Sequence, residues 1–165
     1  MSVAAFLAAA AVVAGGSPQV VYPDGRIGQF RIGVTTKAQL IIRLGAPRKT
    51  VAVTNKSGKR VAVRLAYSCG TGCDTVYSFR EPTGRLTDFA SASHAFRTEH
   101  GAHVGMTSLL AAELERKPAV RACGSGKAIH VRRDATHDLA FAVLDGRVTI
   151  LAYLGPHSTY GKAFC

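Results

Sequence analysis

The chain has 165 residues, 47% of them hydrophobic, and its 21 Lys and Arg against 10 Asp and Glu leave a net charge of +11. That length supports one or two small cores, and no apolar stretch reaches the ~20 residues that a membrane-spanning helix needs. The basic residues are scattered among apolar ones without interleaved aromatics, which argues against specific nucleic-acid recognition and leaves a solvated basic surface or affinity for another polyanion.

Residues 1–16 carry no charge, and Val3 to Ala14 is almost wholly apolar before Gly15-Gly16-Ser17-Pro18. This pattern reads as a secretory signal with a small-residue cleavage site. Residues 17–92 then form a first unit and residues 93–165 a second. Phe30-Arg31-Ile32 is a short extended entry to the first unit. Thr35 or Thr36 offers a hydroxyl as helix N-cap. Leu40, Ile41 and Leu44 share one helical face, and Gly45 followed by Pro47 ends the helix. Val51 to Val53 and Val61 to Leu65 read as strands joined through Asn55-Lys56-Ser57-Gly58-Lys59. Thr75 to Arg80 and Arg85 to Phe89 form a second hairpin around Pro82-Thr83-Gly84.

Cys69 and Cys73 bracket Gly-Thr-Gly between those hairpins. Four cysteines agree with an oxidising compartment and allow three pairings. The favoured one closes a small ring at Cys69–Cys73 and ties Cys123 to Cys165; a zinc site fits the spacing poorly.

The second unit repeats the order. Val104-Gly105-Met106-Thr107 echoes Ile32-Gly33-Val34-Thr35, and Asp145-Gly146-Arg147-Val148-Thr149 echoes Thr83-Gly84-Arg85-Leu86-Thr87. Thr107 caps a helix with Leu110 and Leu114 on one face, and Glu113 and Lys117 are spaced for an i, i+4 ion pair. Strands follow at Ala128 to Val131, Leu139 to Leu144 and Val148 to Leu154, the last two joined by a tight turn at Asp145-Gly146. The fold expected is α+β: two tandem units, each a helix plus four antiparallel strands, with the helices on one face of the sheets. Tyr77, Phe79, Leu139 and Phe141 alternate onto the side under the helices, whereas Tyr67 and Tyr153 are expected on an exposed face.

The segment Gly33-Val-Thr-Thr-Lys-Ala-Gln-Leu40 with Leu44-Gly-Ala-Pro47, and Gly105-Met-Thr107 in the second unit, resembles the helix signature of exported SmpA/OmlA-type modules. Tandem copies of such a unit are similar to the β-lactamase inhibitory protein superfamily, and the second half resembles exported actinobacterial proteins. The resemblance implies fold and export; it assigns no contact residue.

Catalytic signals are weak. His100-x-x-His103 lies beside Gly101 in an extended pattern, so no metal site is expected there, and no cofactor motif appears. No Ser or Cys nucleophile stands in a recognisable setting, and a Cys nucleophile at 69, 73 or 123 conflicts with disulfide formation. The expectation is a secreted or envelope-associated, non-catalytic binding protein that presents a basic sheet surface to a protein or an anionic envelope polymer. The alternative is a small secreted hydrolase with a Cys or His site. The candidate surface comprises Tyr67, Tyr153, Lys56, Lys59, Arg60 and Arg64.

Overall fold

A computed structural model describes residues 18–116, 118–123, 126–132, 136–156, 158 and 160. The export signal, Lys117 with its expected ion pair to Glu113, and Cys165 with its expected bond to Cys123 lie outside the described residues. In chain order the elements are β1 (Gln19–Val21), β2 (Arg26–Ile27), β3 (Phe30–Arg31), α1 (Lys37–Leu44), β4 (Lys49–Thr54), β5 (Arg60–Gly70), β6 (Cys73–Arg80), β7 (Arg85–Ser91), β8 (Phe96–Thr98), α2 (Ser108–Glu115), β9 (Ala119–Cys123), β10 (Gly126–Arg132), β11 (Asp138–Leu144) and β12 (Arg147–Leu154).

This corrects the expected fold class. Strands take 52% of the described residues and helices 12%, so the protein is mostly β. The strands do not sort into two helix-plus-four-strand units. They form one eight-stranded sheet, in the order β4-β5-β6-β7-β12-β11-β10-β9, and a separate four-stranded sheet, β3-β2-β1-β8. The small sheet includes a parallel pair in which Val21 of β1 lies opposite Thr98 of β8. In the large sheet, β7 meets β12 through Ala90 opposite Ala152.

The helices are short because their stop signals come early. Thr36 caps α1, accepting from Gln39 N through its hydroxyl while the Gln39 side chain accepts from Thr36 N, a reciprocal capping box. Gly45, at φ +81°, ends it and donates its N–H to Ile41 O. Thr107 caps α2 with its hydroxyl alone, accepting from Leu110 N, since leucine at that position cannot return the bond. Each helix is then fastened to a hairpin. Lys37 N donates to Gly84 O at 3.0 Å and Arg85 Nη1 reaches Gly33 O and Val34 O. Likewise Ser108 N donates to Gly146 O at 2.9 Å and Arg147 Nη1 reaches Gly105 O.

One face of the large sheet, the helices and the small sheet share the main core. Tyr77, Phe79, Phe89, Phe141 and Tyr153 are all at most 2% exposed and join Val21, Ile27, Leu40 and Ala111 in a single buried cluster. Burial on this scale is the dominant favourable term of folding. The opposite face is lined by smaller side chains, among them Ala90, Ala140 and Ala152, which cluster with Leu154 and against which Tyr160 packs. Small residues let the chain after β12 come close. A Cβ on Gly155 would stand 2.6 Å from Thr87 O, so only glycine fits there.

Candidate anion-binding surface

The β4–β5 hairpin is stiffened at its tip. Asn55 Oδ1 accepts from Ser57 N, Ser57 Oγ and Lys59 N at 3.1, 2.7 and 3.0 Å, the local side-chain turn that asparagine favours. Gly58, at φ +77°, supplies the left-handed residue that closes it. Lys59 and Arg60 are therefore presented from a fixed turn rather than a loose loop. On the adjacent hairpin, Arg80 stands opposite Ala62 in the β5–β6 ladder. Partners in an antiparallel ladder point to the same face, so Arg80 joins this group.

Between the two hairpins lies an open cleft of about 670 Å³, lined by Asn55, Lys59, Arg60, Val61, Ala62, Arg80, Glu81, Pro82 and Thr87. Three cations, Lys59, Arg60 and Arg80, line the cleft together with one carboxylate among the described residues, that of Glu81. Arg60 reaches Glu81 at 3.5 Å, with Arg60 60% exposed, and a pair so open to water contributes little. Among the described residues, Lys59 and Arg80 have no acidic partner within ion-pair distance.

The other candidate residues sit elsewhere. Lys56 is exposed at the hairpin tip, outside the cleft wall. Arg64 is drawn onto the small-residue face, with its guanidinium carbon 4.2 Å from the centre of the Tyr160 ring. Tyr67 and Tyr153 are not on an exposed face. Tyr67 is partly buried, meets Tyr77 edge-on at 6.0 Å and donates its hydroxyl to Gly45 O; burial raises its phenol above the usual range. Tyr153 is 1% exposed and donates to Pro23 O at 2.7 Å. This corrects the exposed face expected for both: each phenol is held by a backbone carbonyl of another segment, and Tyr153 is enclosed by the core. Arg80 was the residue missed, although counting the hairpin register from the Cys69–Cys73 turn places it beside Ala62.

Beside the cleft, Asp88 is fully buried on the small-residue face. Its carboxylate accepts from Gly155 N at 3.0 Å and from the Thr87 hydroxyl at 3.2 Å. Burial raises its pKa above the ordinary carboxylate range, against the lowering effect of those donors, of Ser158 and of Arg64. Asp88 thus pins the chain after β12 to β7 and does not face the cleft.

Cys69 and Cys73 are bonded, so neither supplies a thiolate. Their separation of 4 positions closes a small ring, and the Cys69→Ser, Cys73→Ser double variant is expected to lose no more than about 2 kcal/mol of stability by loop-closure entropy. Denaturant titration checks this; a much larger loss would mean that the ring holds the sheet together. His100 Nδ1 lies 3.3 Å from Glu115 and His103 Nδ1 lies 2.8 Å from Val104 O, so their ring nitrogens serve separate partners. Among the described residues no three His, Cys, Asp or Glu side chains gather as a metal set.

A mostly β scaffold with a basic cleft between two hairpins is the class of protein that these features define. No protein-family profile matches the chain, and no curated protein sequence matches it. Two solved structures share its fold. The DUF4309 family protein YjgB of Bacillus subtilis aligns with a TM-score of 0.55 at 13% identity, over 81% of this chain and 89% of that one. An extracellular protein of Bacillus anthracis containing a SCP domain aligns with a TM-score of 0.52 at 8% identity, over 76% of this chain; this chain spans only 44% of that protein. Among the described residues no helix is long and apolar enough to cross a membrane.

Proposed function

We propose that this protein is a non-catalytic binding module, acting outside the cytoplasm, that holds anionic groups of an envelope partner in the cleft between the β4–β5 and β6–β7 hairpins. The observation that carries the reading is the convergence of Lys59, Arg60 and Arg80 on a cleft of about 670 Å³ where, among the described residues, the one acidic side chain, Glu81, already faces Arg60. Charge-assisted hydrogen bonds from such cations are about twice as strong as neutral ones. Rigidity of the hairpin tip lowers the ordering cost of binding. The Cys69–Cys73 bond and the likeness to an extracellular protein support export.

The expected result with tripolyphosphate as probe is measurable binding at low salt that weakens steeply as salt rises. The Lys59→Ala, Arg80→Ala double variant should bind at least ~10-fold more weakly with an unchanged melting curve, because two charge-assisted contacts are removed from an exposed site. Lys56→Ala should bind as the parent does. Calorimetric titration makes the measurement. Absence of binding at low salt, or equal binding by the double variant, would refute the proposal.

A further inference from the structure

The basic cleft has a neighbour. Between β3 and α1 lies a second open cleft of about 370 Å³, lined by Arg31 and Arg43 with Gln29, Thr35 and Gln39 and, among the described residues, by no acidic one. Among the described residues the acidic contact of Arg31 is a distant one, 3.9 Å to Asp24, whose carboxylate is closer to Arg26, at 2.9 Å. Among the described residues Arg43 has no acidic partner within ion-pair distance. Each cleft therefore offers cations whose charge the fold leaves largely uncompensated.

The β6–β7 turn separates the two. Glu81 and Pro82 wall the first cleft. Two residues on, Gly84 O accepts from Lys37 N at the start of α1, the helix that carries Gln39 and Arg43 into the second cleft. Arg85 then spans the junction, its Nη1 held at 3.2 Å by the carbonyl of Val34, which also lines the second cleft. These hydrogen bonds fasten the turn that walls the first cleft to the start of the helix that lines the second. A small anion fills one of them. A molecule with negative charge repeated along its length can satisfy Lys59 and Arg80 on one side of the turn and Arg31 and Arg43 on the other at once, where small anions would have to fill the clefts separately.

We infer that the two clefts bind a single ligand, a linear polyanion that crosses the β6–β7 turn. The inference rests on the anion-binding reading of the first cleft. Occupancy of one cleft raises the effective concentration of the next charged segment at the other, so affinity rises with chain length without any new kind of contact. More displaced counterions also steepen the salt dependence.

The test compares tripolyphosphate with long-chain polyphosphate by calorimetric titration at several salt concentrations. The parent should bind the long chain at least ~10-fold more tightly per chain than tripolyphosphate. The Arg31→Ala, Arg43→Ala variant should lose most of that advantage, with a shallower salt slope, and keep its affinity for tripolyphosphate. A charge-matched control, Arg97→Ala with Lys127→Ala, should keep the advantage. Long-chain binding unaltered by Arg31→Ala, Arg43→Ala would overturn the bridging and leave the first cleft standing. An equal loss in the control variant would overturn it too, since net charge alone would then account for the effect. An equal loss for tripolyphosphate would do the same, because the second cleft would be an independent small-anion site. Failure of either probe to bind at low salt would instead remove the anion-binding reading itself.

Discussion

Tyr153→Ala should lower folding stability by about 3–5 kcal/mol, the cost of truncating a fully buried aromatic side chain. Its ring lies in the main core at 1% exposure, and its hydroxyl donates to Pro23 O at 2.7 Å across 130 positions of sequence. It therefore joins the last strand of the large sheet to the turn between β1 and β2 in the small one. Alanine would open a cavity on one side and leave the Pro23 carbonyl without that donor on the other. Tyr153→Phe separates the two effects: it keeps the ring and should cost about 1 kcal/mol, the net worth of a hydrogen bond. Guanidinium unfolding of the three proteins measures both losses. An alanine variant as stable as the phenylalanine one would show that the aromatic ring is not a core element.

Asp88 should give the second largest effect, with a sign that depends on pH. Asp88→Ala removes the acceptor of a buried backbone N–H, that of Gly155, and should cost about 1–3 kcal/mol. Asp88→Asn keeps an acceptor oxygen and removes the charge. Because burial raises the folded-state pKa of Asp88 above its unfolded value, the protonated form is the one the fold favours. Its contribution is complete below the unfolded pKa, about 4, and is lost as pH rises through the folded value. The stability of the parent relative to Asp88→Asn should thus be greatest near pH 4 and fall towards neutrality. Other titrating groups cancel in that difference. Denaturant midpoints across the range decide it, and a parent that gains on Asp88→Asn as pH rises would mean that the ionised carboxylate stabilises the fold through its donors and Arg64.

Local chemistry made several elements legible. Thr36, Gly45 and Pro47 delimit α1 because capping and chain reversal act within a few residues. The Cys69–Cys73 ring follows from proximity alone. The alternation at Tyr77 and Phe79 marked their inward face, since period two is a property of the strand itself. By contrast β1, β2, β3 and β8, each two or three residues long, are too short to display alternation. Their existence depends on partners far away, as in the Gln19–Phe96 pairing.

The same division explains the binding surface. Lys59 and Arg60 were visible as a basic turn, and both line the cleft. Arg64, four residues further along β5, turns instead towards Tyr160, because the chain after β12 covers that part of the sheet. Tyr153 is buried because the small sheet lies over it. Neither covering layer leaves a trace in the strand that it covers.

Charge, cap positions, the cysteine ring and most strands of the large sheet are therefore determined by the sequence itself, since they arise from interactions between residues near one another along the chain. Tertiary structure alone decided that the strands merge into one continuous sheet with a second sheet packed on it, which tyrosines are enclosed, and that Arg80, Arg31 and Arg43 border clefts on either side of one turn. Those outcomes depend on which distant segments gain most by burying each other's apolar faces, a comparison made only by the whole folded chain.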